Sequence, residues 1–87
     1  MALRPIRMPQ LGLTMEEGTF LGFLKDLGAV FQKGEPLFRV ETDKALLEVE
    51  AEEAGVLREV LAEVGQTYPV GTVLGYYEEV QDAVDRV

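Results

Sequence analysis

Phe38-Arg39-Val40-Glu41-Thr42-Asp43-Lys44-Ala45-Leu46-Leu47-Glu48-Val49-Glu50 is the stretch on which the reading of this chain turns. Two strand-like runs meet at Asp43-Lys44. Downstream, Leu47-Glu48-Val49-Glu50-Ala51-Glu52 alternates apolar and acidic residues, the pattern of a half-buried strand. Upstream, Pro36 to Thr42 reads as a strand with less regular alternation. Asp at the junction favours a turn, because its carboxylate can accept hydrogen bonds from nearby backbone N–H groups. A tight turn here pushes the Lys44 side chain off the tip of a hairpin into water, and the flanking strands hold that tip in place. Such a site suits a group that must project and swing.

Outward from the hairpin, the sequence repeats itself. A displacement of 37 residues brings Gly18 onto Gly55, Gly28 onto Gly65 and Gly34 onto Gly71 without a gap. It also brings Leu24 onto Leu61, Leu27 onto Val64, Phe31 onto Tyr68, Leu37 onto Leu74 and Glu41 onto Glu78. Two copies are too few for a solenoid. The expectation is one closed domain of two similar halves, Arg7 to Glu41 and Lys44 to Glu78, related by an approximate two-fold axis. Matched glycines imply matched backbone needs, such as turns with positive φ; Gly28, Gly55 and Gly65 are the structural candidates.

The local pattern leaves one segment open. Val56, Leu57, Val60, Leu61 and Val64 fit one face of a helix, and Phe20, Leu21, Leu24 and Leu27 give a similar impression. Glycines at the segment ends and many β-branched or aromatic residues favour strands instead. Adjacent apolar pairs such as Val56-Leu57 then require bulges or bends. The residues alone read as mostly β, with a helix over 56–64 still open.

Composition limits the chemistry. The 87 residues suffice for one small domain, assigned to 1–80, with Gln81 to Val87 as a polar tail that could begin a linker. Apolar residues make up 47% of the chain, which suits a packed globule. There is no His, Cys, Ser, Asn or Trp. That removes Ser/His and Cys/His nucleophile–base pairs and imidazole or thiolate metal sites, so neither a catalytic set nor a metal site is expected. Sixteen acidic against eight basic residues give a formal charge of −8. This balance argues against nucleic acid as a partner and favours steering toward basic protein surfaces. The row Glu48, Glu50, Glu52 reads as a solvated face or as part of that steering. No apolar run approaches the roughly 18 residues of a membrane-spanning helix, and the first ten residues lack the apolar core of a secretory signal. The absence of Cys fits a reducing compartment.

Glu41-Thr42-Asp43-Lys44-Ala45 resembles the attachment motif of lipoyl domains, with Lys44 as the modified lysine. Met8-Pro9-Gln10-Leu11-Gly12-Leu13-Thr14-Met15-Glu16-Glu17-Gly18-Thr19 is similar to the opening of those domains in dihydrolipoyl acyltransferases. Glu48-Val49-Glu50-Ala51 and Gly55 also fit, and the resemblance spans about residues 4 to 79. It implies an all-β fold: a flattened β-barrel of two four-stranded sheets with quasi-two-fold symmetry, the hairpin at one end and the termini at the other. It resolves 56–64 in favour of strand. It implies lipoic acid in amide linkage on Lys44 as a swinging arm. It further implies recognition roles for Asp43, Ala45, Glu41 and Thr42 around the lysine, and for Leu11, Gly12, Leu13 and Thr14 in a loop beside the hairpin. The plain alternatives stay open: Asp43 as a turn former, and the loop as a surface connection.

The implied partners are a lipoate ligase or lipoyl transferase, a thiamine-dependent 2-oxo acid decarboxylase, an acyltransferase core and dihydrolipoyl dehydrogenase. The domain itself would be a monomeric, non-catalytic carrier in a bacterial cytoplasm or mitochondrial matrix. Pyruvate is the preferred 2-oxo acid. The nearest alternative is a biotinyl carrier domain, which typically flanks its lysine with methionines where this chain has Asp43 and Ala45. An unmodified structural adaptor and the glycine-cleavage carrier are the other readings.

Overall fold

The computed structural model describes residues 3–80, and the tail assigned to 81–87 lies outside the described residues, as do residues 1 and 2. Eight strands follow in order: β1 (Leu3–Arg7), β2 (Glu17–Phe23), β3 (Val30–Phe31), β4 (Pro36–Glu41), β5 (Leu46–Glu50), β6 (Gly55–Val60), β7 (Thr67–Pro69) and β8 (Val73–Glu79). They form two four-stranded antiparallel sheets, ordered β1-β8-β6-β3 and β5-β4-β2-β7. The all-β, two-sheet architecture is the one expected. Each sheet keeps two edge strands, and no described strand pairs across from one sheet to the other.

The internal repeat is real and acts on hydrogen bonds. Displacing β2, β3 and β4 by 37 residues lands on β6, β7 and β8, and exchanging β1 with β5 then turns one sheet order into the other. Leu24 N–H donates to the Leu37 carbonyl at 2.8 Å, and Leu61 N–H to the Leu74 carbonyl at 2.9 Å. Gly28 N–H donates to Leu57 and Gly65 N–H to Phe20, each at 2.7 Å. Gly28 and Gly65 take φ of 86° and 91°, a left-handed conformation that a Cβ disfavours. One boundary differs from the sequence reading. Glu41 pairs with Leu46 and Glu78 with Leu3, so Leu46, rather than Lys44, opens the second half. The connection from β1 to β2, residues 8–16, is longer than that from β5 to β6, residues 51–54, and this moves the first strand of each half out of the common offset.

The segment 56–64 contains β6 to Val60 and then a loop, with no helix. Its helical spacing arises from a bulge. The β6–β8 register shifts between Leu57 and Glu59, and the β2–β4 register shifts at the matching place, between Phe20 and Gly22. An extra residue reverses the in–out alternation, so Phe20 and Phe23, three residues apart as on a helix face, both pack against the core. Between the sheets lie Phe20, Phe31, Phe38, Met8, Leu57, Leu74 and Val40, all below 2% exposure. Phe20, Phe23 and Phe38 form an aromatic cluster with ring centroids 5.1 to 6.0 Å apart. Each such buried side chain contributes roughly 1.5–3 kcal/mol. This core holds β2 and β4, and β4 carries the hairpin.

Gly55 departs from expectation. Its φ is not positive; a Cβ there would stand 2.5 Å from Tyr77 Cδ2 and 2.9 Å from the Glu78 carbonyl oxygen. The residue must be small because β8 crosses too closely. The repeat mate Gly18 meets Val40 Cγ1 at 2.7 Å in the same way.

Candidate functional site

Val40 is fully buried, so β4 reaches the end of its sheet on a fixed anchor. The ladder with β5 runs through Val40–Leu47 and Glu41–Leu46. Beyond it Thr42 N–H donates to the Ala45 carbonyl at 2.8 Å, leaving Asp43 and Lys44 as a two-residue connection. Such connections usually take primed turns with positive φ, yet no described non-glycine residue has positive φ. The threonine hydroxyl makes up the difference. Thr42 Oγ1 accepts the Lys44 N–H at 3.2 Å and the Ala45 N–H at 3.1 Å, and donates to the Ala45 carbonyl at 3.2 Å. The turn chemistry assigned to Asp43 thus belongs to Thr42; among the described residues no hydrogen bond uses the Asp43 carboxylate. Asp43, Lys44 and Ala45 are exposed, as is Glu41, while Thr42 is half-buried.

The longer β1–β2 connection stands beside this turn. Gln10 Nε2 donates to the carbonyls of Leu13 and Met15, both at 3.3 Å. Leu11 N–H donates to the Met15 sulfur at 3.2 Å, and Met15 N–H to the Gly12 carbonyl at 3.1 Å. The loop is therefore tied to itself, and it holds Leu13 at 99% exposure. Loop and hairpin border one open cleft of about 850 Å³. Its lining brings together every residue that the sequence offered for attachment or recognition: Leu11, Gly12, Leu13, Thr14, Glu41, Thr42, Asp43, Lys44 and Ala45.

Seven further residues complete the lining: Met15, Glu16, Glu17, Gly18, Thr19, Leu47 and Thr67. The first five stand in the quoted opening motif, and Leu47 in the quoted hairpin stretch. Thr67 comes from β7, where it pairs with Thr19 and their hydroxyls meet at 2.8 Å. No local signal marks Thr67; only the pairing of β7 with β2 brings it near the site. Glu16, Glu17, Glu41 and Asp43 give the cleft an acidic lining around one lysine.

The other charged clusters serve the frame. Arg39 pairs with Glu48 across β4 and β5 at 3.1 Å, so one member of the acidic row is a cross-strand partner. Glu48 and Glu50 lie exposed on an edge strand, where charge discourages pairing with a foreign strand. Near the chain ends Tyr77 donates to Glu53; burial and the neighbouring carboxylate push its phenol above the usual tyrosine range. Arg4 is held charged by Glu79, with Glu53 adding to it. The Gln32 N–H, then Lys25, holds Glu35 below the usual carboxylate value. A smaller hollow of about 280 Å³, lined by Ile6, Phe38, Val49 and Tyr77 among others, lies apart from Lys44. No described helix is long and apolar enough to cross a membrane.

The arrangement presents a primary amine on a defined turn, with solvent around it and an ordered loop beside it. An exposed amine on a fixed turn can serve as an attachment point.

The model of the biotin/lipoyl family, described as "Biotin-requiring enzyme", matches residues 4–76. The succinyltransferase component of the 2-oxoglutarate dehydrogenase complex from Bacillus subtilis is 43% identical over 74 residues, covering 85% of this chain and 18% of that protein. The acetyltransferase component of the acetoin cleaving system from Cupriavidus necator is 46% identical over 81 residues, covering 91% and 22%. The chain thus spans about a fifth of the length of these relatives. Among solved structures, the lipoyl domain of the 2-oxoglutarate dehydrogenase complex from Azotobacter vinelandii superposes with a TM-score of 0.69. It is 32% identical and covers 86% of this chain and 95% of that one.

Proposed function

The chain belongs to the biotin/lipoyl family, and from that membership we propose that it is a lipoyl carrier domain whose Lys44 bears lipoic acid in amide linkage. The observation that carries this reading is the exposed Lys44 on a two-residue turn between paired strands, flanked by Asp43 and Ala45. An open tip with no wall over the amine fits a long covalent arm. Methionines at both flanks would favour biotin; their absence favours the lipoyl reading over the biotinyl one.

A lipoate ligase or lipoyl transferase would form the amide at the lysine amine. Amide formation removes one positive charge and takes the formal charge from −8 to −9. When attached, the lipoyl group supplies a dithiolane that accepts an acyl group and electrons. The protein contributes presentation and recognition, and the chemistry stays with the cofactor and the partner enzymes. Tethering raises the arm's local concentration to the order of millimolar at each partner site.

The parent protein would be a dihydrolipoyl acyltransferase of a 2-oxo acid dehydrogenase complex. Its partners would be a thiamine-dependent decarboxylase, the acyltransferase core and dihydrolipoyl dehydrogenase, in a bacterial cytoplasm or mitochondrial matrix. Pyruvate as the 2-oxo acid rests on the opening motif of residues 8–19; the relatives named above serve 2-oxoglutarate and acetoin systems. Asp43, Ala45, Glu41 and the loop Leu11–Thr14 are proposed to meet the modifying enzyme and the decarboxylase. The test is reductive acylation of the lipoylated chain by pyruvate-specific and 2-oxoglutarate-specific decarboxylases, followed by intact mass. Acylation by the pyruvate enzyme is expected. Acylation by the 2-oxoglutarate enzyme alone would overturn the substrate assignment, and acylation by neither would overturn the carrier role in these complexes.

A further inference from the structure

We infer that Thr42 is a positioning residue for Lys44: its hydroxyl sets the turn that presents the amine, and it is not a contact for the partner enzymes. The inference rests on the modification of Lys44 proposed above.

A hydroxyl offers one donor and two acceptor positions. In Thr42 all three are engaged inside the turn, two with the Lys44 and Ala45 N–H groups and one with the Ala45 carbonyl. The same carbonyl also accepts the Thr42 N–H at 2.8 Å. The side chain is half-buried while its three neighbours on the turn are exposed. No hydrogen-bonding capacity is left for a docking enzyme, so Thr42 acts through the backbone of the residue that enzyme needs. The geometry also says why a hydroxyl stands there. Without positive φ at Asp43 or Lys44, the connection lacks the primed turn that matches strand twist. Local side-chain bonds to the backbone two and three residues on supply the missing order, as Ser and Thr do in turns.

Loss of the hydroxyl therefore leaves the Lys44 and Ala45 N–H groups to water and spreads the turn over several conformers. A binder that needs one of them then sees a reduced competent fraction, and its apparent affinity falls by that fraction. The effect should appear in KM rather than in kcat.

The test uses T42V, which keeps the shape and loses the hydroxyl, and T42S, which keeps the hydroxyl. Amide hydrogen exchange at Lys44 and Ala45 is followed by NMR in the unmodified chain, and lipoate ligase kinetics by intact mass. In T42V, faster exchange at both amides with Val40 unchanged is expected, together with a KM raised about tenfold at similar kcat; T42S should restore both. Wild-type exchange in T42V would overturn the turn-setting role. Faster exchange with unchanged KM would show a purely local structural role and overturn the positioning claim. A wild-type chain that the ligase leaves unmodified would instead defeat the reading of Lys44, while the exchange data would still decide whether Thr42 holds the turn.

Discussion

At the scale of single residues, two glycines of the repeat are small for different reasons. Gly28 lies in open space and is constrained by its φ of 86°, whereas Gly55 is constrained by what a Cβ would strike. At Gly55 one obstacle is a backbone carbonyl, which cannot rotate aside as a side chain can. Gly55→Ala should therefore cost about 1–3 kcal/mol through overpacking, and Gly28→Ala about 1 kcal/mol through strain. Urea denaturation of both variants checks this, and an unchanged midpoint for Gly55→Ala would refute the close-crossing account. The position of Gly55 was legible because it recurs with Gly18. Its cause was not, since only the register of β6 on β8 reveals how near Tyr77 and Glu78 pass. The turn shows the same division: Asp43 has the stronger turn preference in a sequence, but the hydroxyl of Thr42 makes the bonds.

Elements bring the site together. The hairpin of β4 and β5 was readable from the strict alternation of 47–52 and from Asp43-Lys44 between two apolar runs. Segment 56–64 was ambiguous because the bulge after Leu57 mixes the periods of strand and helix. The loop at 11–14 could be read as part of a motif but not as an ordered element, because its ties depend on Gln10 and Met15 reaching back over the turn. A leucine at 99% exposure on such a loop contributes nothing to the core. Leu13→Ser should hence change stability by less than about 0.5 kcal/mol, while lowering the rate of reductive acylation by the partner decarboxylase. Thermal denaturation alongside single-turnover acylation separates the two effects. An unaltered acylation rate would reduce the loop to a surface connection.

The whole molecule is two similar halves with one asymmetry that matters. Where the first half turns from Glu41 to Leu46 through the hairpin, the second places the ends of β8 and β1, with Glu78 beside Leu3. The Lys44 turn and the paired ends of β1 and β8 thus occupy equivalent places in opposite sheets. The longer β1–β2 connection exists in one half only, and it stands beside the lysine. The chain carries a formal charge of −8, which amide formation at Lys44 would take to −9 by removing one positive charge. The central claim is that Lys44 is the attachment point. Its most direct test is intact mass after incubation with lipoate ligase, ATP and lipoic acid, beside Lys44→Arg and a parallel reaction with biotin ligase and biotin. The account predicts one lipoyl group on the wild type, none on Lys44→Arg and no biotin on either. No gain in mass with a ligase active on another lipoyl domain, or a gain only with biotin ligase, would contradict it.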